Sequence, residues 1–250
     1  MTVRLIPLGG WPEQDPPPPA VAAPPPARSD GPPLIELTRL RLRNQVVNDR
    51  IDLAVARGEL VVVTGEPRSG RSALLSVLGL LDRPAAGRYL LTGIDTGKLS
   101  DRDCAALRAR QIGFVFQRKM LLPARSVLDN VMLPLRYTGT RRAERVHAAM
   151  RSLDQVGLTA AAQGMTWQLS ADELARCAIA RALVNEPSLL LCDDPTAGLD
   201  QQTAARVVGL LARLHRKGRT VIVATADQLA AAYSSQAIRL GPKARPRVLA

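Results

Sequence analysis

Eight residues, Gly65-Glu66-Pro67-Arg68-Ser69-Gly70-Arg71-Ser72, constrain this chain more than any other stretch. The apolar run Leu60-Val61-Val62-Val63 leads into them, and Ala73-Leu74-Leu75-Ser76-Val77-Leu78 leads out. β-Branched strand, glycine-bounded loop and helix follow one another in the order that a phosphate-binding loop requires. In such a loop the backbone N–H groups and the helix N-terminus turn partial positive charge toward phosphate oxygens. The spacing matches G-x-x-x-x-G-K-[ST] at every place but one, where Arg71 stands for lysine.

The rest of the chain alternates strands and helices around that loop. Leu34-Ile35-Glu36-Leu37 opens the folded part, and Ile51-Asp52-Leu53-Ala54-Val55 alternates as a half-buried strand does. The loop's helix is predicted to end near Asp82-Arg83-Pro84, with a strand over 87–93 and a short apolar strand over 112–117. Helical spacing runs from Arg141 to Val156, stopped by Gly157, and again from Thr203 to Lys217, stopped by Gly218. The runs Ser188-Leu189-Leu190-Leu191-Cys192 and Thr220-Val221-Ile222-Val223-Ala224-Thr225 read as strands buried on both faces. Alternation of this kind predicts an α/β fold with a parallel sheet covered by helices.

Asp193-Asp194-Pro195 ends the first of those runs. A carboxylate at the end of a buried strand, beside a phosphate loop, is where Mg²⁺ is held in phosphate-loop enzymes, which makes Asp193 the candidate ligand. By contrast, Cys104, Cys177 and Cys192 are too scattered for a metal cage or a disulfide framework. His147 and His215 lack a partner at ligand spacing and are expected on helix surfaces.

Charge and composition narrow the partners. Lys and Arg number 34 against 22 acidic residues, a net charge of +12 that could mark a nucleic-acid or acidic-membrane partner. The basic residues form no single stripe, however, and aromatic side chains for base stacking make up only 3% of the chain, so no nucleic acid is expected. No apolar run approaches the ~18–20 residues of a membrane span, and no charged start precedes an apolar block as in a secretory signal. Residues 1–33 hold Pro16-Pro17-Pro18-Pro19, Pro24-Pro25-Pro26 and Pro32-Pro33, a disordered or polyproline-type tail. A second tail is expected over 241–250.

In their order along the chain, five elements resemble the ATP-binding subunits of ABC transporters. They are the loop at 65–72, Gln117 after Phe114-Val115-Phe116, Leu169-Ser170, Asp193-Asp194-Pro195-Thr196, and Ala197-Gly198-Leu199-Asp200. Gly79-Leu80-Leu81-Asp82-Arg83-Pro84, Leu121-Leu122-Pro123, Leu133-Pro134-Leu135 and Ala178-Ile179-Ala180-Arg181-Ala182-Leu183 are similar to its macrolide-export and lipoprotein-release branch. The resemblance covers roughly 34–240. It implies a phosphate-loop ATPase fold with a mainly parallel sheet, an antiparallel β subdomain and a helical lobe about 118–170 that meets a membrane permease. It also implies head-to-tail closure of two such domains, homodimeric or heterodimeric, on the cytoplasmic face of the plasma membrane. Residues 65–73 would hold ATP, and Ser72 and Asp193 would hold Mg²⁺. Gln117 would sense the metal, Leu169–Glu173 would be the signature facing the other subunit's nucleotide, and Asp200 would contact that subunit.

Against this family pattern the chain departs in the loop, at the general base, at the γ-phosphate sensor and in the signature. Arg71 replaces lysine with a planar fork that does not fit the same enclosed space. Pro67 has no N–H for the cradle, and Arg68 replaces a glycine, which is costly if the loop needs φ > 0. Asp194, in the general-base place of a glutamate, is shorter by one carbon–carbon bond, about 1.5 Å. A displacement of that size costs on the order of 100-fold in rate. Ala226 stands where a histidine reaches the γ-phosphate and cannot make its hydrogen bond. Ala171-Asp172-Glu173 replaces Gly-Gly-Gln, so two carboxylates follow Ser170 and would repel phosphate. Read locally, Ser170-x-x-Glu173 is a capping box. No aromatic lies from Thr38 to Arg57, where the family stacks adenine. The expectation is an ATP-binding subunit with weakened binding of ATP and Mg²⁺ and slow or absent hydrolysis. Its alternatives are an active transport ATPase with compensated substitutions and a nucleic-acid-associated ABC protein.

Overall fold

The computed structural model describes residues 31–43, 50–226, 230 and 234–240. The tails expected over 1–33 and 241–250 lie outside the described residues, apart from 31–33. Two sheets form the frame. Strands β1 (Ile35–Arg41), β2 (Ile51–Val55), β4 (Ala86–Leu91) and β5 (Ile94–Asp95) make an antiparallel sheet in the order β2-β1-β4-β5. Strands β3 (Leu60–Gly65), β6 (Ile112–Val115), β7 (Leu189–Asp193), β8 (Thr220–Ala224) and β9 (Gln236–Leu240) make a parallel sheet in the order β6-β7-β8-β3-β9.

Strands β3, β7 and β8 read as continuous apolar runs because both their faces are covered. Their side chains alternate between two cores. Val61, Val63, Leu189, Leu191, Ile222 and Ala224 join the core shared with the antiparallel sheet and helix α1 (Arg71–Leu78). Leu60, Val62, Leu190, Cys192, Val221 and Val223 join the opposite core, with helices α3 (Val127–Met132), α4 (Arg142–Gln155), α5 (Ala171–Leu183) and α6 (Gln201–Arg216). Helix α5 packs against α3 and α4 on one side and against β6 on the other, tying the helical lobe to the sheet.

Glycine stops fall where the sequence placed them. Gly157 and Gly218, at φ +65 and +87, donate to Asp154 and His215 just past α4 and α6. Helix α6 starts two residues earlier than its apolar spacing suggests, because the Asp200 side chain accepts from Thr203 N at 3.0 Å and caps it. Helix α1 ends earlier than predicted, at Leu78. Gly79 N donates to Leu75 O at 2.7 Å, and Leu80 then turns away at φ +54. Helix α2 (Asp101–Gln111) has no buried residue and therefore left no apolar period to read. His215 is a correction: it lies at the end of α6 but is only 6% exposed, not on the surface. All three cysteines are free, and burial pushes the Cys177 thiol up to about 12. No helix among the described residues is long and apolar enough to cross a membrane.

Candidate functional site

Parallel strands bring their carboxyl ends to one edge, which is where α/β sheets bind ligands. Here that edge gathers the loop after β3, Gln117 two residues past β6, Asp193 and Asp194 at the end of β7, and Ala226 two residues past β8. Register fixes the arrangement, since Ala224 lies opposite both Val63 and Asp193. Asp194 N then donates to Ala224 O at 2.8 Å, and Thr225 N donates to Val63 O at 3.0 Å.

The loop closes as a phosphate cradle does. Ser69 N donates to Glu66 O at 3.0 Å, and Gly70, at φ +94, begins α1 without a side-chain cap. A Cβ at Gly65 would run into Ser69 Oγ and the Leu240 carbonyl, so only glycine fits there. Glu66, Pro67 and Arg68 form the exposed crest, and Ala73 lies half-buried in the helix's first turn. Arg68 adopts φ +66, so the side chain stands where the backbone does ask for a left-handed residue. Such a conformation costs a side-chain-bearing residue about 1–2 kcal/mol.

Two polar atoms in this cradle are buried without a hydrogen-bond partner: Ser69 Oγ and Arg71 Nη1. Buried donors of this kind are normally satisfied, and a phosphate group supplies the acceptors they lack. The residues present therefore fit the phosphate end of a nucleotide. Ser72 Oγ donates to Asp193 Oδ1 at 3.0 Å, which joins the two groups suited to a magnesium ion. Burial above all raises the Asp193 carboxyl from its ordinary value. The Asp194 charge adds to the rise, while the Ser72 hydrogen bond and Arg71 oppose it. Gln117 is exposed, and its side chain makes no hydrogen bond to Ser72 or Asp193.

The two altered positions at the centre meet each other. Arg71 Nη2 lies 3.7 Å from Asp194 Oδ2, both side chains being mostly buried. The cation at the lysine place is thus directed at the acid in the base place. Beside Asp194, a cavity of about 610 Å³ opens among Thr196, Leu199, Thr225 and Ala226, where the Ala226 methyl leaves room.

The signature segment differs from its sequence reading. The capping box forms: Ser170 N and Oγ both donate to Glu173 Oε2 at 2.9 Å, and Glu173 N donates to Ser170 Oγ at 3.2 Å. Asp172 turns inward to Arg176, with Nη2 at 2.8 Å and Nε at 2.9 Å from Oδ2. Arg176 also donates to the carbonyls of Gly157 at 2.7 Å and Val156 at 3.3 Å, the end of α4. The carboxylates therefore do not stand out toward solvent as bare charges. What changes this segment is that Ser170 is engaged by Glu173 and Asp172 by Arg176. The i,i+4 spacing of Asp172 and Arg176 was the available signal for that pair. Leu169 is buried and Ala171 exposed, and no hydrogen bond or ion pair among the described residues links 169–173 to 65–73.

Sequence reading also missed an apolar groove of about 460 Å³ between β6, α2 and the helical lobe. Leu81, Phe114, Phe116, Met120, Pro134 and Tyr137 line it, and Tyr137 is 79% exposed. Arg181 holds its rim by donating to the carbonyls of Lys119 and Met120 at 2.7 and 2.6 Å.

Comparison with known proteins places these features in a family. The model of the ABC transporter family matches residues 48–197. The macrolide export ATP-binding/permease protein MacB of Rhodospirillum rubrum is 42% identical over 215 residues, covering 84% of this chain and 33% of that protein. The chain thus spans about a third of the length of such relatives. The ABC transporter ATP-binding protein YknY of Bacillus subtilis is 39% identical over 198 residues, 77% of this chain and 86% of that protein. Among solved structures, the ATP-binding cassette MJ0796, a dimer in a post-hydrolysis state bound to ADP and Pi, is 32% identical. It superposes with a TM-score of 0.76 over 86% of this chain and 99% of that one.

Proposed function

The chain belongs to the ABC transporter family, among macrolide-export-type ATP-binding proteins, and on that premise we propose that it is the ATP-binding subunit of an exporter with impaired hydrolysis. In this reading residues 34–240 form the ATP-binding domain, with the helical lobe about 118–170 and tails at 1–33 and 241–250. It works on the cytoplasmic face of the plasma membrane with a separate permease, and it closes head to tail on a second ATP-binding chain through Asp200 and the 169–173 segment. The exposed groove beside Phe114 and Tyr137 supports an apolar permease segment as the partner there.

ATP supplies a γ-phosphoryl group for transfer to water, with Mg²⁺ neutralising charge on the phosphates. Residues 65–73 would hold the phosphate chain, Ser69 and Arg71 most directly, while Ser72 and Asp193 would hold the ion and Gln117 would sense it. Asp194 orients water, and Ala226 leaves the γ-phosphate without an imidazole contact.

The observation that carries the impaired reading is the Arg71–Asp194 contact. The cation meant for phosphate and the acid meant for water are directed at each other, so phosphate competes with a carboxylate for Arg71. The test is Mg-ATP hydrolysis by the purified full chain beside the triple variant Arg71→Lys, Asp194→Glu, Ala226→His. A large gain in the variant is the expected result. Turnover by the unaltered chain at about 1–10³ s⁻¹ sinks the proposal. The same contact favours a second reading, in which a longer cation and a shorter acid are a compensating exchange in an active ATPase. Loss or no change in the triple variant supports that one.

A further inference from the structure

We infer that residues 11–19 of this chain dock in the apolar groove between β6, α2 and the helical lobe, so that the tail covers the face a partner would use. The docking requires nothing of the function proposed above. Only its consequence, that a permease segment must displace the tail, rests on that reading.

The groove combines open apolar surface with uncancelled positive charge. Phe114 and Phe116 stack with centroids 4.2 Å apart on the β6 side, and Pro134 and Tyr137 face them from the helical lobe. Met120 and Tyr137 are 64% and 79% exposed, and contiguous apolar groups left open in this way mark a binding surface. Arg108 and Arg181 are the charged residues of the lining, which includes no acid. Neither pairs with a carboxylate among the described residues. Arg108 Nη1 donates to the Leu80 carbonyl at 2.7 Å, and Arg181 donates to the carbonyls of Lys119 and Met120. Carbonyl groups carry no net charge, so the groove favours an apolar segment that brings acids with it.

Residues 11–19 have that chemistry. They read Trp11-Pro12-Glu13-Gln14-Asp15-Pro16-Pro17-Pro18-Pro19, with two acids and no base in a chain of net charge +12. Four successive prolines fix φ near the polyproline II value, and such segments dock on aromatic-lined grooves with little entropy to lose. Glu13 and Asp15 supply the carboxylates that the two arginines lack. The later proline runs do not, because Arg28 beside them offsets Asp30.

Chain length permits the contact. Leu34 is fixed just before β1, where its carbonyl accepts from Thr92 N at 2.8 Å. From there β1 runs about 20 Å to Arg41, whose carbonyl accepts from Ala85 N at 2.7 Å. Ala85 lies four residues past the groove-lining Leu81, a span of at most about 14 Å. The groove therefore begins within about 40 Å of Leu34. The fifteen steps from Pro19 to Leu34 cover about 46 Å in a polyproline II conformation. Tethering gives an effective concentration of about 1 mM, at which a contact with a Kd of about 0.1 mM is made about 90% of the time.

Trp11 reports on the docking. In the full chain carrying Trp167→Phe it is the single tryptophan, and acrylamide quenching of its emission measures its access to water. The expected Stern–Volmer constant is about threefold or more below that of the same chain unfolded in urea, as a segment docked most of the time requires. Two variants should each raise it to the unfolded level. Tyr137→Ala removes an exposed side chain from the groove, and Glu13→Lys with Asp15→Lys turns attraction to Arg108 and Arg181 into repulsion. Thermal unfolding of Tyr137→Ala should match the parent; if it does not, the tail variant, which alters no described residue, decides alone. Quenching in the folded chain equal to that in urea overturns the inference. Protection that survives either variant also overturns it, since the tail then lies elsewhere. Protection lost on dilution assigns the contact to a second copy of the chain and overturns it as well.

Discussion

Replacing Asp172 with glycine restores the residue that ABC signatures carry at this place, and the structure predicts that it harms the protein. Arg176 is 1% exposed, and its guanidinium holds the Asp172 carboxylate through two nitrogens at 2.8 and 2.9 Å. Breaking a buried pair from one side leaves an uncompensated charge, which costs about 3–5 kcal/mol. The bonds from Arg176 to the Val156 and Gly157 carbonyls survive, which favours the low end, about 3 kcal/mol. Glycine in the helix adds up to about 1 kcal/mol. At about 2–4 °C per kcal/mol for a domain of this size, Asp172→Gly should lower Tm by roughly 6–16 °C. Differential scanning calorimetry reads the shift, and a double-mutant cycle assigns it. In an Arg176→Met background the Asp172→Ala change should cost less than about 1 kcal/mol, because no charge is left stranded. A Tm loss below about 2 °C, or an equal cost in both backgrounds, refutes the reasoning.

Two further outcomes follow from local geometry and burial. Arg68→Gly removes a side chain from φ +66. The relief of about 1–2 kcal/mol is offset by glycine's greater freedom when unfolded, about 0.4–1 kcal/mol. Denaturant unfolding should therefore find the variant more stable by about 0.5 kcal/mol, and a destabilised variant would show that the Arg68 side chain makes a contribution of its own. Burial above all lowers the pKa of His215 from its ordinary 6.5, with the Gly58 and Arg219 backbone opposing. A depressed folded value means that the unfolded chain takes up the proton first, so stability is full above 6.5 and falls as pH drops from there through the folded value. His215→Gln should flatten that slope in unfolding measured between neutral and mildly acidic pH, and an unchanged slope would assign it to other groups.

Features set by neighbours a few residues apart were readable in the sequence. The phosphate loop needs glycines at fixed places between a β-branched strand and a helix, and Ser170-x-x-Glu173 closes on itself within one turn. The buried strands β3, β7 and β8 announce themselves as unbroken apolar runs, and Gly157 and Gly218 end helices by backbone freedom alone. Strand β9 and helix α2 escaped, one because Gln236 and the exposed Arg239 interrupt its apolar run, the other because it buries nothing. What only the tertiary structure decided is which groups face each other. Arg71 and Asp194 are separate departures in the sequence and one contact in the fold, because two strands with β8 between them end at the same edge. Asp172 reads as a charge aimed at phosphate and folds as the partner of Arg176, since burying that arginine requires a carboxylate beside it. His215 sits at a helix end whose exposure depends on strands and turns far along the chain. Spacing along a helix or strand fixes local conformation, whereas pairing across some 120 residues is settled by packing, and there the chemistry of this site is decided.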